Sequence, residues 1–373
     1  MKFGLMFFSA LHGAESRGRY DLLLEAARFA DTHGFSCVWT PERHFHPFGG
    51  LFPNPAVTSA ALATITHQIE LRAGSLILAL HDTIRAAEDW AMVDNLSGGR
   101  AAISFGSGWN VDDFVLCPGR YLDRHRQMYD HIAIFQQLWR GEEVTRLNSF
   151  GKEVKIVIFP RPVRQEIPIW VTSSGSSETF VAAGSIGANV LTHLIGQDLD
   201  SLAVKIRRYR ESRAGNGFDP ARGTITLMLH TFLGEDGDAV TAKVRLPFRE
   251  YLRSAISLEQ MAALGGGVVS GGHKIDPHTI SDSTLEELLD VTFERYFHSA
   301  ALMGTPGACR RLVWDLEEIG VDEIACLVDF LDDPDAILES LKHLDQLRAS
   351  FSRAELGVLS EGLVNTFMED VDG

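Results

Sequence analysis

The run Trp39-Thr40-Pro41-Glu42-Arg43-His44-Phe45-His46-Pro47-Phe48-Gly49-Gly50 places a carboxylate, a guanidinium and two imidazoles directly behind a short apolar stretch. An imidazole titrates near neutral pH, which makes His44 the candidate general acid or base, with Arg43 beside it as a cation. An equally economical account pairs Glu42 with Arg43 structurally and leaves both histidines packed or solvated. A second cluster, His81-Asp82-Thr83, stands between a strand and a helix, where it supplies either ligand groups or a helix cap; capping is the simpler role for Asp82. Gly74, inside a β-like run ahead of Ser75, marks either a strand kink or the close approach of a ligand or backbone. Gly106-Ser107-Gly108 and Thr172-Ser173-Ser174-Gly175-Ser176-Ser177-Glu178 are small-residue turns at strand ends. Each is explained alone by a tight turn or a serine cap, but backbone N–H groups in such turns also bind anions. Together they favour a phosphate-bearing cofactor.

These groups need a scaffold that brings strand ends together. Apolar runs at Phe3–Phe8, Ser36–Thr40, Glu70–Leu78, Ala101–Phe105, Ile167–Thr172, Ala188–Thr192, Thr224–Leu233 and Glu323–Val328 alternate with helical patterns such as Tyr20–His33, Arg85–Leu96 and Leu199–Ala214. Eight strands in this rhythm predict an α/β fold, a (β/α)8 TIM barrel, whose sites lie at the carboxyl ends of the strands. The competing doubly wound sheet lacks its glycine-rich turn after the first strand. One domain is expected over residues 1–350, with an aperiodic insertion at 265–283 that acts as a mobile lid or as a surface loop without a gating role. An acidic tail follows at 351–373.

Composition narrows the classes. Of 373 residues 45% are hydrophobic, enough for a large core, and Lys+Arg 34 against Asp+Glu 50 gives a formal net charge of −16. Such a surface disfavours nucleic acid and anionic membranes as partners. Four scattered cysteines without CxxC spacing point to neither a metal site nor a disulfide framework, and fit a cytoplasmic location. Phe3-Gly4-Leu5-Met6-Phe7-Phe8 is too short for a signal segment or a membrane span. Serine-hydrolase, zincin and Walker signatures do not occur.

Glu42-Arg43-His44-Phe45, Pro53-Asn54-Pro55, Arg85-Ala86-Ala87-Glu88-Asp89, Asp94-Asn95-Leu96-Ser97-Gly98-Gly99-Arg100 and Gly108-Trp109-Asn110-Val111-Asp112-Asp113-Phe114 appear in an order that resembles the bacterial luciferase-like family of flavin-dependent monooxygenases. The likeness is close over roughly the first two hundred residues and looser beyond. Trp39 to Gly50 with Leu138-Trp139-Arg140-Gly141 is most similar to the members that serve natural-product assembly lines. The resemblance implies FMN, used as FMNH2 from a separate NAD(P)H-dependent flavin reductase, with O2 as co-substrate and C4a-peroxyflavin chemistry. It implies a small-molecule or carrier-protein-tethered biosynthetic intermediate as substrate, and a homodimer. Gly74-Ser75 would lie beneath the isoalloxazine at a cis peptide. Ser107, Trp109, Ser173, Ser174 and Ser177 would surround the ribityl phosphate, and His44, Arg43 and His81 would serve the chemistry. The chain departs from luciferases proper in four places: Arg43 replaces a histidine, Gly106 a reactive cysteine and Ser107 a phosphate-holding arginine, and Leu78–Thr83 lacks the prolines of assembly-line relatives. The rival readings are an F420-dependent hydride-transfer oxidoreductase and a non-catalytic flavin-binding protein of the same fold.

Overall fold

The computed structural model describes residues 1–8, 18–47, 49–264 and 282–369. β1 (Lys2–Met6), α1 (Asp21–Thr32), β2 (Cys37–Thr40), α2 (Pro55–Ala63), β3 (Glu70–Leu76), α3 (Thr83–Ser97), β4 (Ala101–Phe105) and α4 (Arg124–Arg140) alternate. An antiparallel hairpin of β5 (Val144–Leu147) and β6 (Glu153–Ile156) interrupts the rhythm. It resumes with β7 (Ile169–Thr172), α5 (Ser177–Ser185), β8 (Asn189–His193), α6 (Leu199–Gly215) and β9 (Ile225–Leu233). Then come α7 (Gly237–Leu264), α8 (Asp282–Ser299), β10 (Leu302–Gly304), α9 (Pro306–Glu318), β11 (Glu323–Leu327) and α10 (Pro334–Glu369).

Parallel pairing runs β1-β2-β3-β4-β7-β8-β9-β11 and returns to β1, closing an eight-stranded (β/α)8 barrel. Its strands read as continuous apolar runs because each is covered on both faces; all five residues of β4 are buried. Local signals set the boundaries. Asn54, Asp82 and Ser176 cap α2, α3 and α5 by accepting backbone N–H bonds, and Gly98 (φ 67°) stops α3 in a left-handed conformation. The third strand ends at Leu76, short of the expected Leu78, because its register shifts between Gly74 and Leu76 and Leu78–Leu80 forms a 3-10 turn. Between β9 and β11 the sequence rhythm showed only α9. The structure adds α7, α8 and the short β10, which pairs with the overhanging Thr231–Leu233 end of β9. The expected lid falls outside the described residues except for the first turn of α8, and α10 runs across residue 350.

Beneath the carboxyl-end mouth the barrel is plugged by a buried ion pair. Arg72 donates to Glu323 at 2.5 Å and to Glu70 at 2.8 Å, and its guanidinium lies over the rings of Trp39 (4.8 Å) and Trp170 (4.3 Å). Thr226 links Trp170 and Glu323 across the interior at 3.1 Å each. Removing one partner of such a pair costs about 3–5 kcal/mol. That floor holds the strand ends above it in fixed register.

Candidate active site

Glu42 follows β2 and is the hub of the mouth. Its side chain is fully buried, and Oε1 accepts from Nε2 of His44 at 3.0 Å and from Nε2 of His81 at 2.6 Å. Oε2 accepts the backbone N–H of Ile77 at 2.6 Å. Burial would raise the Glu42 pKa, but these hydrogen bonds and the charge of His81 outweigh it and hold the carboxyl below its ordinary value. For His81 burial acts downward, and the bond to Glu42 overcomes it, raising the imidazole above 6.5. His81 is fixed from its own side, since Arg120 donates to the carbonyls of Ala79 (3.2 Å) and His81 (2.9 Å). Both imidazoles direct Nε2 at one carboxylate oxygen; among the described residues no group of three His, Cys, Asp or Glu is arranged to hold a metal ion. Phe45, next to His44, holds φ 57°, a conformation costly for a bulky side chain and concentrated at functional turns.

The structural pairing of Glu42 with Arg43, one of the two sequence accounts, does not form. Arg43 turns the other way, its guanidinium 4.4 Å from the Phe8 ring and 5.0 Å from the Trp109 ring. Burial depresses its pKa, against the attraction of Tyr251 and Asp113. Asp82 is the cap of α3, accepting from the backbone N–H groups of Ile84 and Arg85.

The Gly74–Ser75 peptide at the end of β3 is cis. A Cβ on Gly74 would lie 3.0 Å from Trp39 Cε3 and 3.3 Å from Met6 Cε, so the glycine answers to the barrel interior below it. The Ser75 hydroxyl contacts that of Thr172, which also meets Ser104 Oγ at 2.7 Å, joining the ends of β3, β4 and β7. Gly106 and Gly108 serve packing: a Cβ on either would fall within 3 Å of Ile77. They shape the turn that presents Ser107 and Trp109. In the loop after β7, Ser173 is buried and its hydroxyl is used within its own turn, on Ser176 O and Gly175 N. Ser174 is exposed, and Ser177 opens α5 with its hydroxyl held by Arg208. Lys205, also on α6, stands beside Gly175: its Nζ would be 3.6 Å from a Cβ there, and it donates to Gln197 at 2.7 Å. A helix N-terminus, two serine hydroxyls and two cations form a donor set suited to a phosphate dianion.

The sequence candidates therefore divide. Arg43, His44, His81 and Trp109 gather on one side of the mouth, Gly74 and Ser75 at its base, and Ser174 and Ser177 at the α5 end. Glu42's central role, Lys205 and Arg208 escaped the sequence reading, as did two interior histidines. His193 pairs in register with Met228 at the end of β8, and its Nδ1 accepts from the N–H of Ile195 at 3.1 Å. His230, two residues beyond Met228 and so on the same interior face, is boxed by Phe248, Tyr251 and Phe330, and its Nε2 has no hydrogen-bond partner among the described residues. Burial pushes these imidazoles down to about 4 and about 3, so both are neutral at pH 7.

The family model for luciferase-like monooxygenases matches residues 1–323. The chain belongs to this family. Among relatives of the family, the oxygenase component of the flavin-dependent trigonelline monooxygenase of Acinetobacter baylyi is 26% identical, over 58% of this chain and 60% of that one. The oxygenating constituent of 3,6-diketocamphane monooxygenase from Pseudomonas putida, solved with FMN, superposes with TM-score 0.72 at 19% identity, over 94% of this chain and 98% of that one. An F420-dependent secondary alcohol dehydrogenase superposes at TM-score 0.67 and 16% identity, over 93% and 98%. The two structural likenesses show the shared fold.

Proposed function

We propose that the protein is an FMNH2- and O2-dependent monooxygenase that oxidises a biosynthetic intermediate, either a free small molecule or one tethered to a carrier protein. In this reading a separate NAD(P)H-dependent reductase supplies the reduced flavin, and the enzyme works in the cytoplasm as a homodimer. The observation that carries it is the convergence, at one barrel mouth, of the phosphate-type donor set at α5 with the Glu42-bridged imidazole pair. Ser174, Ser177, Lys205 and Arg208 would hold the flavin phosphate, and Gly74-Ser75 would support the ring. Reduced flavin, when bound, supplies the activation of O2.

The chain's own residues supply binding and proton control. His81, held above its ordinary pKa by Glu42, stores a proton near neutral pH, and His44 shares the same carboxylate oxygen. A proton handed on from either ring is therefore replaced without moving a charge far through the cavity. In this reading Phe8, Trp109 and Tyr251, which gather around Arg43, would shield the bound flavin from water. The decisive test mixes protein and FMNH2 anaerobically, then adds oxygenated buffer and follows absorbance by stopped flow. Return of oxidised-FMN absorbance much more slowly than for free FMNH2 is the expected result, with His44→Ala consuming oxygen uncoupled from product once a substrate is in hand. Return at the free-flavin rate, with and without candidate substrates, refutes the reading. The likeness to an F420 enzyme gives the second reading, hydride transfer without oxygen; tighter binding of F420 than FMN in parallel titrations would select it.

A further inference from the structure

The Arg43 guanidinium lies against aromatic rings and, among the described residues, has no carboxylate within ion-pair distance and no side-chain hydrogen bond. Arg43 is half-buried, and a guanidinium withdrawn that far from water is costly unless an anion or acceptor completes it. The acid next to it in sequence is committed elsewhere, since Glu42 accepts from His44, His81 and Ile77. Asp113 is buried and takes a hydrogen bond from Asn110 at 2.8 Å; burial pushes its carboxyl pKa up against the pull of Arg43, so it offsets the guanidinium only in part. The arginine is also held in place before any ligand arrives. Its backbone N–H donates to Phe52 O at 2.9 Å, and Gly49 (φ 82°) packs so closely that a Cβ there would sit 2.6 Å from Arg43 Cγ. The stem is fixed against Gly49, aromatic rings lie over the guanidinium, and among the described residues its N–H edge has no hydrogen-bond partner. Around it Phe8, Trp109 and Tyr251, the last 6.5 Å from Phe8, make apolar walls.

We propose that Arg43 receives a carboxylate carried by the substrate in a two-point, charge-assisted hydrogen-bonded pair, with the apolar body of the same molecule lying against Phe8 and Trp109. This rests on the monooxygenase reading of the cavity and names its substrate class: an apolar or aromatic carboxylic acid. The formal net charge of −16 repels anions in general, so a preference for acids reports a local cation.

The test is calorimetric titration of the full chain, with and without FMN, using benzoate, phenylacetate and decanoate against the corresponding neutral amides. The expected result is that at least one acid binds about tenfold or more tightly than its amide. Arg43→Met should abolish that ratio, and Arg43→Lys, which keeps the charge and loses the planar fork, should reduce it. Acids and amides of equal affinity in the wild type, including no binding of either, overturn the proposal, as does a ratio that survives Arg43→Met. If Arg43→Met fails to fold by circular dichroism, an unchanged ratio in Arg43→Lys overturns it instead. FMN titration of the same samples reads the flavin site separately: acid selectivity without FMN binding refutes the monooxygenase reading alone, and FMN binding without acid selectivity refutes the Arg43 assignment alone.

Discussion

Replacing His230 with Phe should make the protein resistant to mild acid, and the size of the effect follows from the ring's surroundings. His230 is 2% exposed, boxed by Phe248, Tyr251 and Phe330, with Nε2 unpartnered; burial first, then the neighbouring His193, lowers its pKa to about 3. An unfolded histidine titrates near 6.5. Between these values the unfolded chain binds the extra proton, so stability falls as pH drops from 6.5 towards 3. At about 1.36 kcal/mol per pH unit, His230 removes roughly 2 kcal/mol between pH 6.5 and 5. For a chain of 373 residues the unfolding entropy is about 0.8 kcal/mol/K, so 2 kcal/mol corresponds to roughly 3 °C in Tm. Thermal melts of wild type and His230→Phe at pH 7 and pH 5 give the comparison. At pH 7 the two should lie within about 1 kcal/mol, because Phe keeps the ring contacts and removes the orphaned nitrogen. At pH 5 the variant should have lost roughly 3 °C less than the wild type. Equal acid losses would refute the assignment of a buried, neutral imidazole.

Two further perturbations address the proton site and the phosphate site. Glu42→Gln should return the His81 pKa to or below its ordinary range, read by NMR titration of the imidazole, and cost about 2 kcal/mol at pH 5.5 in urea denaturation. Glu42's contribution, from a depressed pKa, is present above pH 4.5 and lost as pH falls through its folded value; that of His81, from a raised pKa, is complete below 6.5 and lost as pH rises through its folded value. The gap between wild type and Glu42→Gln should therefore narrow at pH 9, and a constant gap would contradict the linkage. Lys205→Met and Arg208→Met should each weaken FMN by about tenfold and leave riboflavin, which lacks the phosphate, unaffected; parallel losses for both flavins in fluorescence titrations would remove the phosphate from this loop.

The barrel was readable because strands covered on both faces are written as unbroken apolar runs, and all eight appear where those runs lie. The β5–β6 hairpin was not, since Val144–Leu147 and Glu153–Ile156 alternate in exposure and carry charges. β10 has only three residues and borrows its register from β9. Within the site, adjacency misled: Glu42 and Arg43 are neighbours in sequence, but successive side chains of extended backbone point apart. Glu42 instead meets His81 across two strand-end loops, a contact 39 residues distant. Lys205 and Arg208 share a helix face by their spacing of three, a signal present in the sequence but meaningful only once α6 is known to pack beside α5.

The groups of the mouth are split between two arcs of the barrel. The Glu42-bridged imidazole pair and the aromatic contacts of Arg43 come from the loops after β1 to β4, and the Ser177, Lys205 and Arg208 donors from the start of α5 and from α6. The described residues between β9 and β11, in α7, α8 and β10, contribute further wall, including Tyr251, and none of those donors. Under the proposed function, substitutions in the described part of that segment are expected to reshape the wall beside Arg43 while leaving the Glu42–His81 and Ser177–Arg208 contacts in place.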